Sequence, residues 1–360
     1  MAQTASARTY GPPLGAQALY RFLQSHVQNN VQAEERGEAP VPLCIWGEHG
    51  IGKTQIVEAF ARENQMDFAY LAPAQYEEMG DLAGLPELEN GKTVFRPASW
   101  VPRQKGPGIL LIDDFNRADE RILRGLMQLL QGYGLAGWQL PPHWQIVLTA
   151  NPDRGDYSVT PLDEAMLTRM IHIELVFQTD DWLTWAQKAG IDPRAQKFMQ
   201  LLLNDPQSPA LPKGRTTARS LTQLFRAIEH LNDWKSEVEQ IAIYAQATLE
   251  EETADAFLEF VRTEAWKLPQ AREILATAFR QIPTRLPHPI LLQHFEALAR
   301  HLQHKPEQLS KKEKENLLAY LVDNDWPKDL YLLIMRRLQQ LQKREINEIL
   351  NKPEVVEKML

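Results

Sequence analysis

The chain has 360 residues, 44% hydrophobic and 24% charged, an ordinary soluble composition with room for two or three domains. Its net charge of −8 weighs against broad binding to a phosphate backbone and leaves only a local basic patch for such a role. One cysteine, Cys44, excludes an internal disulfide; no run of about eighteen apolar residues is present to cross a membrane, and the first residues lack the apolar stretch of a secretion signal, so a cytoplasmic location is expected.

Residues 1–15 are polar and contain Pro and Gly, and are expected to be loose until docked. From Ala16 to about Gln32, Leu19, Phe22, Leu23 and Val27 share one helical face. Residues 33–40 read as a charged linker. The apolar run Pro42-Leu43-Cys44-Ile45-Trp46 reads as a buried strand, with Cys44 a core residue, and Gln55 to Arg62 as a helix. Between them, Gly47-Glu48-His49-Gly50-Ile51-Gly52-Lys53-Thr54 fits G-x-x-x-x-G-K-[ST] at every fixed position. Strand, loop and helix are the context in which this pattern cradles phosphates. Glycines let backbone N–H groups curl around the anion, and the helix N-terminus adds partial positive charge. Residues 47–55, Gln55 included, are therefore expected to bind nucleotide, with Lys53 on the β/γ-phosphate oxygens and Thr54 on Mg²⁺.

Further strands are expected at about 67–71, 109–113, 145–150 and 171–175, alternating with helices as in a parallel α/β sheet. The second of these strands ends in Asp113-Asp114, the acidic pattern of a metal-nucleotide site. Asp113 is placed to hold Mg²⁺, and Asp114 to activate a water molecule with an arm one methylene shorter than Glu. Two insertions break the alternation. The first spans Gln75–Trp100 and contains an Asn90-Gly91 step that predicts a hairpin turn. The second, Gly132 to Trp138, carries glycines beside Tyr133 and Trp138. Both are expected to project as loops whose aromatic residues, Phe95 among them, face a channel or partner.

From Thr179 the pattern becomes helical, with Trp182, Trp185, Phe198 and Trp266 read as core, and it stays helical to Leu360 between punctuating prolines. The histidines His294, His301 and His304 lack a partner at metal-ligand spacing.

Taken together, these motifs resemble the AAA+ ATPases of the MoxR group over about residues 36–265. Asp113-Asp114-Phe115-Asn116-Arg117-Ala118 is similar to that group's D-E-x-N-R-A, with Asp in place of its usual Glu. Leu148-Thr149-Ala150-Asn151-Pro152 resembles the strand that ends in the sensor-1 residue, which implies that Asn151 contacts the γ-phosphate or attacking water. The segment 162–170 resembles the one that carries the arginine finger, pointing to Arg169, and 214–219 resembles the start of the sensor-2 helix, pointing to Arg219. Arg117 is either a second interface arginine or a solvated helix start. The insertions match that clade's helix-2 insert and pre-sensor-1 hairpin.

The resemblance implies a P-loop parallel-sheet core followed by an all-α lid and an extra helical region. Expected bounds are 1–35 for a tail and helix, 36–178 for the nucleotide domain, 179–265 for the lid and 266–360 for a helical region without an assigned role. It further implies ATP and Mg²⁺ as ligands and a homo-oligomeric ring, expected to be a hexamer. The expected activity is ATP hydrolysis coupled to remodelling a partner protein that carries a von Willebrand factor A domain. Two other readings stay open: a nucleic-acid-directed motor, which the acidic charge weighs against, and a switch that binds ATP and hydrolyses it slowly.

Overall fold

The computed structural model describes residues 10–152, 159–204, 211, 214–278 and 288–359. Two compact units divide the chain, Met1–Trp182 and Leu183–Leu360.

The first unit is built on a parallel sheet. Its elements in order are β1 (Pro13–Leu14), α1 (Ala16–Glu35), β2 (Leu43–Trp46), α2 (Lys53–Glu63), β3 (Asp67–Leu71), α3 (Met79–Ala83), β4 (Leu85–Glu89), β5 (Lys92–Arg96), β6 (Gly108–Ile112), α4 (Glu120–Gly132), β7 (Gly134–Leu135), β8 (Trp138–Gln139), β9 (Trp144–Ala150), α5 (Glu164–Leu167) and β10 (Ile171–Leu175). Six strands lie in the order β1-β10-β2-β9-β6-β3. Every residue of β2, β6 and β9 is buried, because both faces of the sheet are covered. That is why these strands read as continuous apolar runs rather than alternating ones. Leu43, Ile45, Ile109, Leu111, Val147 and Ile173 face Leu19 and Leu23 of α1 and Val57 and Phe60 of α2. Cys44, Trp46, Leu110, Ile112, Ile146 and Leu148 face Leu82 of α3 and Ile122, Leu126 and Leu129 of α4.

The expected strands at 42–46, 67–71, 109–113, 145–150 and 171–175 coincide with β2, β3, β6, β9 and β10 to within a residue at each end. The Asn90-Gly91 step turns β4 into β5 with φ of 51° and 74°, the two positive angles a type I′ hairpin needs. Three expectations for this unit fail. Part of the segment read as loose, Pro13–Leu14, is an edge strand paired with Glu174 and Leu175, and Tyr10 stacks on Trp46 with centroids 3.8 Å apart; residues 1–9 lie outside those described. The helix at 16–32 runs on through Glu35, into the supposed linker.

The third failure concerns the second insertion. Tyr133 and Trp138 are only 9% and 8% exposed and belong to the core. Gly137, with φ of 89°, and Ala136, with φ of 50°, turn β7 back on β8. The Trp138 ring then packs edge-on against Trp100, and its Nε1 donates to Ala83 O at 3.0 Å. This small hairpin closes the core instead of projecting. The β4–β5 hairpin does stand out, with Leu85 and Leu88 73% and 77% exposed.

The first unit ends inside α6 (Thr179–Lys188), and the second is helical: α7 (Pro193–Asn204), α8 (Ala218–Ala227), α9 (Val238–Thr248), α10 (Glu251–Arg262), α11 (Ala271–Ala276), α12 (His288–His304), α13 (Lys311–Val322), α14 (Lys328–Gln339), α15 (Arg344–Leu350) and α16 (Pro353–Met359). Phe198, Phe225, Phe257, Phe260 and Trp234 form one aromatic core; Phe295, Tyr320 and Trp326 form another. Trp182 is buried as expected, but Trp185 is 47% exposed and is not core. Among the described residues no helix is long and apolar enough to cross a membrane.

Candidate nucleotide site

The candidate site forms where the C-terminal ends of β2, β6 and β9 meet the start of α2. Gly47 leaves β2 with φ of 153°, and a Cβ there would lie 2.7 Å from Leu175 O. Gly52 has φ of 98° and delivers the chain directly into α2 at Lys53. Both positions demand glycine, so the loop's fixed residues are explained by backbone geometry.

Lys53 is 6% exposed. Its ammonium donates to Gly47 O at 2.7 Å, Glu48 O at 3.0 Å and Asn151 Oδ1 at 3.0 Å. The next residue, Thr54, donates from Oγ1 to Asp113 Oδ1 at 2.8 Å. Thus the two residues expected to hold Mg²⁺ already touch. Their oxygen-only donor set suits a hard divalent cation, and the glycine-shaped loop beside it suits phosphate.

Asp113 has two further donors that sequence reasoning missed. Thr149 Oγ1 donates to Oδ1 at 2.6 Å, and Tyr70 OH donates to Oδ2 at 3.0 Å. The Tyr70 phenol is pushed up to about 12 by partial burial and then by the neighbouring Asp113 charge, so it remains a donor. Thr149 also accepts from the Asp114 N–H at 2.8 Å, which links the two acids to β9. The signal for Thr149 was available: it is a hydroxyl inside an otherwise apolar buried strand. Tyr70 gave no such signal, because an aromatic residue on an edge strand is ordinary.

Asp114 adopts φ 48° and ψ 41°, a left-handed conformation that Asp tolerates better than longer side chains. Its Oδ1 accepts from Asn151 Nδ2 at 2.9 Å, and its Oδ2 lies 3.5 Å from Arg117 Nε. Asn151, fully buried, therefore spans the site: its oxygen faces Lys53 and its amide nitrogen faces Asp114. Its backbone is held in turn by Asn116, whose Nδ2 donates to Asn151 O at 2.8 Å and whose Oδ1 accepts from Asn151 N at 3.2 Å. Asn116, 2% exposed, is a third supporting residue, whose part the sequence alone does not signal.

The two expected arginines are placed differently. Arg169 follows α5 and donates from Nη1 to Ala165 O within its own segment. Arg219 lies in the second unit, exposed, at the second position of α8. That helix begins with Thr217, which caps it by accepting from Ser220 N at 3.0 Å. Lys53, Thr54, Asp113, Asp114 and Asn151 are thus gathered into one site, with Thr149, Tyr70 and Asn116 supporting them.

Residues 42–170 match the sequence family of the AAA domain, dynein-related subfamily. The first unit contains an AAA+ ATPase domain. The match spans β2 to the residue before β10 and includes every residue of the hydrogen-bonded site. No curated protein matches the chain. Solved structures with a similar course include the RuvB Holliday junction branch migration motor of Thermotoga maritima, at 16% identity over 84% of this chain and 88% of that one, with a TM-score of 0.37. Another is NtrX of Brucella abortus in complex with ADP, at 14% identity over 91% of this chain and 68% of that one, with a TM-score of 0.39. The parallel sheet, phosphate loop and following helical region together make the architecture that of a P-loop AAA+ protein.

Proposed function

We propose that this AAA domain binds ATP with Mg²⁺ and hydrolyses it in a homo-oligomeric ring, a hexamer. The observation that carries the reading is the continuous chain of contacts Lys53–Asn151–Asp114 beside Thr54–Asp113. One lysine, one polar bridge and one carboxylate lie in the order a transferred phosphoryl group and its attacking water require. Residues 47–55 would hold the phosphates, and Thr54 and Asp113 would hold the metal, which when bound supplies charge neutralisation of the phosphate oxygens. Asp114 accepts the proton of the attacking water, with Asn151 fixing the carboxylate on one side and Arg117 on the other.

Arg169 acts on the nucleotide of a neighbouring subunit, and Arg219 serves as the sensor-2 arginine of a lid at about 179–265. The exposed leucines of the β4–β5 hairpin are the part of this domain best suited to grip a partner. Resemblance to the MoxR group supports a protein partner with a von Willebrand factor A domain and a cytoplasmic setting. A net charge of −8 disfavours a nucleic-acid track.

Mixing two inactive variants tests this reading. Arg169→Ala subunits keep the phosphate loop, and Lys53→Ala subunits keep the finger, so rings containing both have some complete interfaces. Activity should return on mixing. If mixed rings form without regaining activity, while Arg169→Ala alone turns over normally, Arg169 is no finger. Turnover that stays negligible in the intact ring, with tight ATP binding, would instead mark a nucleotide switch.

A further inference from the structure

Trp46 is the last residue of β2, immediately before the phosphate loop, and is 2% exposed. Its Nε1 donates to His172 Nδ1 at 2.9 Å. The other ring nitrogen of His172, Nε2, is 2.7 Å from Leu167 O. An indole N–H can only donate and a carbonyl can only accept, so the tautomer is fixed: Nδ1 accepts and Nε2–H donates. His172 is therefore wired at both nitrogens.

The position of this link along the chain gives it meaning. Leu167 ends α5 and His172 lies in β10, so the hydrogen bond between them closes a short loop. Arg169 sits inside that loop. Its backbone N–H donates to Met166 O at 3.2 Å, and its side chain folds toward Ala165 O. On its far side, Trp46 is stacked by Tyr10 with an interplanar angle of 12°, which holds the indole in its plane. Leu175, at the end of β10, meanwhile abuts Gly47 so closely that no side chain fits between them. Besides the ladder that pairs β2 with β10, the strand that feeds the phosphate loop and the loop that carries Arg169 are thus joined side chain to backbone through one imidazole.

We propose that His172 is a positioning residue for Arg169: the Trp46–His172–Leu167 link, anchored on the strand that feeds the phosphate loop, sets the guanidinium that a subunit offers to its neighbour. The inference rests on the reading of Arg169 as a finger acting in trans. A finger contributes about 10³–10⁵ in rate, and a displacement of about 1 Å costs on the order of 10². Loss of the link should therefore cost on the order of 10²-fold, and only at the interface served by that subunit's Arg169.

The mixed-ring assay with full-length protein separates this from a general defect. The control mixes Arg169→Ala with Lys53→Ala and measures the ATPase activity regained. His172→Phe, which keeps a ring but removes both nitrogens, is then added either to the Lys53→Ala chain, which donates the finger, or to the Arg169→Ala chain, which binds nucleotide. In the finger donor it should lower the regained turnover about 10²-fold; in the nucleotide-binding chain it should leave turnover near the control. His172→Gln in the finger donor, retaining one acceptor and one donor, should recover part of the loss. Melting temperature and ATP affinity are read on each chain. If His172→Phe fails to fold, His172→Asn, which keeps the acceptor toward Trp46 and loses the donor to Leu167, replaces it with the same asymmetry expected. Equal loss in both placements, or loss in neither, overturns the role of His172. A control in which mixed rings form and regain nothing, while Arg169→Ala alone turns over normally, overturns the trans finger itself.

Discussion

Asn151→Ala is the most direct perturbation of the site. The side chain is fully buried and makes two contacts to charged groups, accepting from Lys53 at 3.0 Å and donating to Asp114 at 2.9 Å. Hydrogen bonds to charged groups contribute about 1.5–3 kcal/mol each. Water can replace the contact to Asp114, whose side chain is 38% exposed, but not easily the one to buried Lys53. The net cost to stability should therefore be that of one such bond, about 1.5–3 kcal/mol, which for a unit of this size lowers Tm by roughly 3–12 °C. ATP affinity should change little, because Lys53 and the loop remain. Turnover should fall about 10²–10³-fold, the scale for removing one fixed donor from a transition-state site. Asn151→Asp, the same shape with a carboxylate facing Asp114, should be as inactive. Calorimetric titration, a melt and steady-state ATPase assays give the three quantities. A variant that melts lower yet hydrolyses ATP at the wild-type rate would show that Asn151 only supports Lys53, and the catalytic bridge would have to be abandoned.

The two adjacent acids should separate in the same assays: Asp114→Asn keeps nucleotide affinity and loses turnover by about 10²-fold or more, whereas Asp113→Asn weakens Mg²⁺-dependent binding. Wild-type turnover in Asp114→Asn would move the base elsewhere. Trp138→Ala should cost about 3–5 kcal/mol of stability, because the ring fills the core against Trp100; an unchanged melt with selective loss of partner stimulation would restore the exposed-loop reading. In the second unit, burial pulls the His294 imidazole down from its usual 6.5 to about 3. Its folded-state pKa is depressed, so the unfolded chain binds the extra proton first, and stability present above about pH 6.5 should drain away as pH falls toward 3. His294→Gln should flatten that slope in acid-unfolding curves, and an unaltered slope would assign the acid sensitivity to other groups.

The phosphate loop, the acids at the end of β6 and the strands around them were legible in the sequence because each is specified locally. Glycines at positive φ, a lysine and threonine at fixed spacing, and apolar runs buried on both faces leave the same signature wherever they fall in a chain. The hairpin at Asn90-Gly91 is legible for the same reason, since few residue pairs adopt two positive φ angles. What the sequence could not supply was which distant side chains come together. A glycine-rich segment with Tyr133 and Trp138 looks like an exposed loop until α3, α4 and Trp100 close over it; burial is a property of neighbours, not of the segment. Asp113 shared among hydroxyls from β3, α2 and β9, and the imidazole of His172 joining Trp46 to Leu167, depend on strands brought side by side from 59, 43, 36 and 126 residues apart. Only the folded sheet decides such pairs, because hydrogen bonds act over about 3 Å and sequence separation carries no information at that range.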